Sequence, residues 1–208
     1  MLLEGVSCAV FNTAINAIGG EFEKQLKHKI MTRLHAIFSL GAFFAALFSS
    51  GILLLTTDLW PHFLTVSIIL ASLLWLISPH LPEHNPVTKQ DHNPKQQGTV
   101  LKTSAVLGLT IFFGTVVEGS LLDWSAIYLT DVIGASLVLA PSGVMVGSVT
   151  MVIARLYADS LRDKYSNIQL IGVGGLVSSI SLVVGVTLGG LVVTWLTLAI
   201  VGLSIAAV

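Results

Sequence analysis

YSNIQLIGVGGLVSSISLVVGVTLGGLVVTWLTLAIVGLSIAAV, residues 165–208, holds 44 consecutive positions without Asp, Glu, Lys or Arg. About 20 apolar residues cross a bilayer as a helix. The stretch therefore accommodates two spans, with Gly189-Gly190 as the tight turn between them. No water-soluble domain presents such a surface. Soluble chains are about a quarter charged, whereas this one is 10% charged and 54% hydrophobic with 19 glycines. Its mean hydropathy is +0.89. Lipid gives an open strand edge no hydrogen-bond partner, so the spans must be helices. The fold class is all-α, a polytopic transmembrane helix bundle.

Working outward from this stretch, the chain divides into seven apolar segments near 2–20, 35–56, 60–80, 101–122, 137–158, 167–188 and 190–208. The fifth is interrupted near its start by Pro141, Gly143 and Gly147. All ten Lys and Arg fall into three alternate connections. Lys24, Lys27, Lys29 and Arg33 follow the first segment, Lys89, Lys95 and Lys102 the third, and Arg155, Arg162 and Lys164 the fifth. Basic loops stay on the cytoplasmic side, so the expected topology places the N-terminus outside and the C-terminus inside. Residues 81–102 carry Pro82, Pro86 and Pro94 among Asn, Gln, His and Lys, the composition of a polar linker. The expected domains are residues 1–80, the linker 81–102, and residues 103–208.

Several function classes are excluded on composition. A net charge of −1 without a basic face gives no reason to expect nucleic acid. Cys8 stands alone, so no disulfide framework exists. The start Met1-Leu2-Leu3-Glu4 lacks the positive n-region of a cleavable signal. No nucleophile elbow, zinc-binding His-Glu pair or phosphate-binding glycine loop occurs, so an enzyme is not expected, nor any cofactor or metal. His80, His84 and His92 lie in or beside the linker and read as solvated.

Polar residues inside the apolar segments are the candidates for function. In the first, Gly5, Ala9, Asn12, Asn16 and Gly19 share one helical face. Asn12 and Asn16 either line a polar pathway or hydrogen-bond across a tight helix contact. In the second, His35, Ser39, Ala42, Ala46 and Ser49 form a small, polar stripe, with His35 either titrating or simply packed at the membrane interface. Glu118 is the sharpest position. A carboxylate in hydrocarbon costs about 2.5–3.5 kcal/mol, so it normally faces a cavity or a partner. It is either a proton-coupling or solute-binding acid, or a solvated group near the outer end of the fourth segment. Asp123 and Trp124 follow in the expected outer connection. Both join Asn12, Asn16, His35, Ser39 and Glu118 as candidates for the solute pathway, while Trp124 also suits an interfacial anchor. The GxxxG pairs Gly143/Gly147 and Gly185/Gly189 imply close helix contacts only.

Three stretches together resemble a known family. Residues 12–42, NTAINAIGGEFEKQLKHKIMTRLHAIFSLGA, resemble an Asn-rich helix, a charged loop and a Phe-His-Ala-x-Phe-Ser-Leu-Gly element of a bacterial branch of the major facilitator superfamily related to the fucose permeases. Leu34 replaces the first Phe of that element. EGSLLDWSAIYL, residues 118–129, resembles the same branch's seventh helix and outer loop. ARLYADSLRDKYSN, residues 154–167, resembles the loop that latches cytoplasmic helix ends, with Asp163 and Lys164 as its charged pair and without its two glycines. The resemblance implies that Arg155, Asp159, Asp163 and Lys164 form this latch, although an ordinary solvated basic loop would look the same. It further implies helices four to ten of a twelve-helix transporter in the bacterial cytoplasmic (inner) membrane, a fragment that needs further helices or an oligomer partner for a complete pathway. The expected partners are lipid, a small polar solute such as a sugar, and protons, moved by symport. The alternative is a non-transporting membrane protein that acts by helix–helix association.

Overall fold

A computed structural model describes residues 2–26, 30–80 and 97–206. Among them are seven α-helices and no strand. They are α1 (Leu2–Leu26), α2 (Met31–Leu53), α3 (Leu59–Ile77), α4 (Gln97–Ile127), α5 (Ser142–Arg162), α6 (Asn167–Leu188) and α7 (Leu191–Ala206). Four stretches, α2, α3 with its short extension to His80, α5 and α6, are long and apolar enough to cross a membrane, and α7 is a shorter apolar helix. The transmembrane helical bundle expected from composition is thus the observed fold class.

Helix ends follow local chemistry. α1 runs past the expected boundary because Glu21, Glu23, Lys24 and Gln25 are good helix formers. Glu23 then turns back, and its carboxylate accepts the N–H groups of Ile30 and Met31 at 3.0 and 2.9 Å. A carboxylate there satisfies two otherwise orphaned donors at the start of α2. Ser166 and Gln169 form a capping box that starts α6. Gly189 and Gly190 adopt φ of 65° and 89°, which lets α6 reverse into α7 over two residues.

The fourth helix departs from expectation. Asp123 and Trp124 were expected in a connection after residue 122, but α4 continues through both to Ile127 and passes into a π turn at Tyr128–Val132. No Gly or Pro interrupts the sequence from Ser120 until Gly134 (φ 74°), and polarity alone does not end a helix. At 31 residues α4 is about 46 Å long. Glu118 therefore lies nine residues before the helix end, well inside it.

Helix α5 is the centre of the packing and contacts α2, α4 and α7, while α6 packs on α7 and α1 on α2. Its buried face is Gly143, Gly147, Ser148, Met151, Ala154 and Ala158. Lipid tails are as apolar as leucine, so small residues that admit close backbone approach drive this association. At Gly202 on α7, an added Cβ would lie 2.8 Å from the Gly147 carbonyl oxygen. At Gly143 it would lie 2.9 Å from Cβ of Ser125 on α4, and at Gly185 it would run into Thr197 across the α6–α7 crossing. Of the two GxxxG pairs, Gly143, Gly147 and Gly185 lie at tight helix contacts, whereas Gly189 serves the turn. Leu121, Met151, Ala154, Leu198, Val201 and Ala206 form one buried cluster across α4, α5 and α7.

Candidate functional site

The guanidinium of Arg155 joins three helices. It stands seven residues before the end of α5, about 10 Å inside the helix. Nη2 donates to Oε1 of Glu118 on α4 at 2.9 Å. Nη1 donates to the carbonyl oxygen of His35 at 2.9 Å and also to the hydroxyl of Ser39, both on α2. The Arg155 side chain is 10% exposed and that of Glu118 27%.

Each helix reaches this point for a reason visible in its sequence. On α5, Arg155 is flanked by the buried small residues Ala154 and Ala158, which bring neighbouring backbones close. On α2, the buried residues Ala36, Ser39 and Ala46 mark the face turned to the bundle. That face follows the predicted stripe in part, with Ser39 and Ala46 shared and Ala36 added. Glu118 leaves α4 between Val117, packed on the apolar cluster, and the exposed Ser120.

Of the residues singled out in the sequence, His35 and Ser39 from α2 and Glu118 from α4 come together here around Arg155 of α5. Arg155 belongs with them. The sequence reading placed it either in a latch between cytoplasmic helix ends or in an ordinary solvated basic loop; in the structure it lies within α5, paired with an acid. Asp159, one turn further, accepts a hydrogen bond from the Thr32 hydroxyl at 3.3 Å and so ties α5 to the start of α2. Asp163 and Lys164 lie in the turn after α5, both exposed. Asn12 and Asn16 lie on an exposed face of α1, and Asp123 and Trp124 are exposed on α4. His84 and His92 lie outside the described residues.

Thr32 was missed, because a lone threonine among Met31, Arg33 and Leu34 carries no signal of a cross-helix bond. Arg155 had a signal. It is the single base set between two alanines of an apolar segment that ends seven residues later in Arg162 and Asp163. An acid without a neighbouring base on the segment before it, Glu118, is the natural complement.

A separate cavity of about 330 Å³ opens between α4, α6 and α7, lined by Leu121, Trp124, Leu182, Thr197 and Leu198 among others. It is almost wholly apolar, and Ser125 on its wall has a buried hydroxyl without a hydrogen-bond partner. Among the described residues no three His, Cys, Asp or Glu side chains gather as a metal site requires.

Chemically, the node is a cation held by one carboxylate and two neutral oxygens. Arginine keeps its proton in proteins, so the titratable member of the ion pair is Glu118. Protonating it would remove the one negative charge bonded to Arg155.

The sequence model of the Major Facilitator Superfamily matches residues 1–208. An uncharacterized transporter of Sinorhizobium fredii is 32% identical over 177 residues, which cover 84% of this chain and 46% of the relative. An uncharacterized transporter of the major facilitator type from Yersinia pestis is 25% identical over 195 residues, 90% of this chain and 48% of the relative. The chain thus spans about half the length of the curated relatives it matches. No solved structure gives a significant match. The chain belongs to the Major Facilitator Superfamily, a family of multi-pass membrane transporters rather than enzymes.

Proposed function

We propose that this chain forms part of a secondary active transporter that moves a small polar solute across the bacterial cytoplasmic membrane together with protons, and that Glu118 is the proton-carrying group. The observation that carries the reading is the Arg155–Glu118 pair at 2.9 Å, set inside two helices and bonded to a third. Charged groups within membrane segments are costly and are retained where they face one another or a pathway. The positive-inside pattern supports a cytoplasmic location for the ends of α1 and α5 and for the C-terminus.

Residues 1–80 and 103–208 are read as parts of two helical halves. In that reading, the α2–α5 seam with its Thr32–Asp159 and Arg155–Ser39 bonds is the junction across which the halves rock. Asn12 and Asn16 are assigned to the solute pathway, and Asp163 and Lys164 to the cytoplasmic latch. Since the relatives are about twice as long, transport is assigned to the assembly in which further helices or a second polypeptide complete the pathway.

The test is uptake into proteoliposomes under an imposed pH gradient, with the chain alone and with it extended by the remaining helices of the Sinorhizobium relative. Glu118→Gln is expected to abolish proton-driven accumulation while leaving the membrane level unchanged. PH-driven uptake at the normal rate in that variant would refute the coupling role.

A further inference from the structure

Arg155 makes an electrostatic demand that says what the solute must carry. Its side chain is only 10% exposed, and its guanidinium keeps its charge. Glu118 is the carboxylate bonded to it, and the other two partners, the His35 carbonyl and the Ser39 hydroxyl, are neutral. The charged and titratable groups around the node are few. From α2 there is His35, whose backbone carbonyl accepts from Arg155. From α5 there is Asp159, one turn away and bonded to Thr32. On α4, Asp123 is exposed, and α7 carries no charged residue. When Glu118 takes up a proton, no anion already in place bonds to the guanidinium. A buried cation left without its partner is strongly unfavourable, so the proton should arrive together with a replacement anion.

We propose that the transported solute is a small monocarboxylate whose carboxylate takes the place of Glu118 on Arg155. The inference rests on the reading of Glu118 as the proton carrier. Glu118 grips the guanidinium through a single oxygen, at Nη2, whereas a free carboxylate can approach a guanidinium fork with both oxygens. The charge balance closes. Protonation removes one negative charge from Glu118, the solute brings one in, and the loaded node has the same net charge as the resting one. A neutral sugar would leave the cation bare at that stage. The cycle is therefore electroneutral, one proton with one anion.

The test uses the chain extended by the remaining helices of the Sinorhizobium relative, in lipid nanodiscs, and isothermal titration at mildly acidic pH, in two buffers of different ionisation enthalpy. Lactate and gluconate are the probes, with propane-1,2-diol and glucose as their uncharged counterparts. Binding of lactate or gluconate with about one proton drawn from the buffer is expected. Arg155→Gln should weaken that binding by roughly 10- to 100-fold, and Arg155→Lys should restore part of it. Glu118→Gln, a permanent mimic of the protonated acid, should still bind the anion but draw no proton. Helix content by circular dichroism controls for folding of each variant. Glucose or the diol binding with proton uptake, and neither anion doing so, would overturn the carboxylate class and keep the coupling role of Glu118. Anion binding that draws no proton in the unaltered chain would instead overturn the coupling role. Binding of neither anion would overturn the inference itself.

Discussion

Helices α3 and α5 are of similar length, 19 and 21 residues, and the more apolar of the two is the one that buries nothing. α3 is rich in Leu, Ile and Trp, all exposed, and touches α2 through the Phe48 and His62 rings, 6.0 Å apart. α5 carries Gly, Ser and Ala with Arg155 among them, and it holds α2, α4 and α7 together. In water the ranking would be reversed, because apolar area drives burial there. In lipid a leucine gains little by meeting another helix, and close backbone contact and polar bonds decide instead. Here the small residues of α5 and the ion pair it carries hold the bundle at its centre, with Leu121, Met151, Leu198 and Val201 filling the space between helices, whereas the large apolar side chains of α3 face outward.

The comparison predicts an order of mutational effects. The largest should follow Gly202→Val, whose new side chain meets the Gly147 backbone and Thr150. Neither backbone can give way, so a loss near the upper end of the overpacking range, about 3 kcal/mol, is expected in denaturation from detergent micelles. A neutral result would mean that α5 and α7 do not cross as closely as described. Next comes Arg155→Ala, which leaves Glu118 without its cation and frees the carbonyl of His35 and the hydroxyl of Ser39. About 2 kcal/mol should be lost, since hydrogen bonds to charged groups contribute about 1.5–3 kcal/mol and Glu118 keeps some solvent access.

Smaller effects sharpen the contrast. Thr32→Val removes the donor to Asp159 at 3.3 Å, and about 0.5–1.5 kcal/mol is expected from one such bond. The same change should loosen the start of α2 against the end of α5, read as faster cross-linking of cysteines introduced at exposed Arg33 and Arg162. Leu70→Ala on α3, where the leucine is 54% exposed, should cost less than about 0.5 kcal/mol. A loss of 2 kcal/mol or more there would show that α3 packs against another surface, and would break the comparison at its base.

Much of the fold was legible because one physical fact dominates the sequence. Forty-four uncharged residues at 165–208 leave no alternative to membrane helices, and α6 falls where the segment 167–188 was drawn. The helix ends were less legible for a local reason. Polar residues such as Asp123, and Glu21 with Glu23, look like loop but sit comfortably in a helix that has left the apolar layer or faces a partner. Within the site, His35, Ser39 and Glu118 stood out because polar groups in lipid need a reason. Arg155 did not, because sorting bases by loop explained it too easily. Its bonds span 37 and 120 residues of chain, and no periodicity carries a pairing over that separation. Side-chain direction on packed helices supplies it, through the short residues Ala154 and Ala158 that let α5 approach its neighbours.

The account stands on Arg155 and Glu118 acting as one unit, and a double-mutant cycle measures that directly. Arg155→Gln, Glu118→Gln and the double variant would be compared with the unaltered chain for unfolding free energy in the same micelle. Paired groups give a coupling energy of about 0.5–3 kcal/mol, with the double variant more stable than the sum of the single losses predicts, because it leaves no bare charge behind. That is the expected result. Single losses that simply add, within about 0.3–0.5 kcal/mol, would mean the two charges do not meet in the folded protein, and the node would be withdrawn as the functional site.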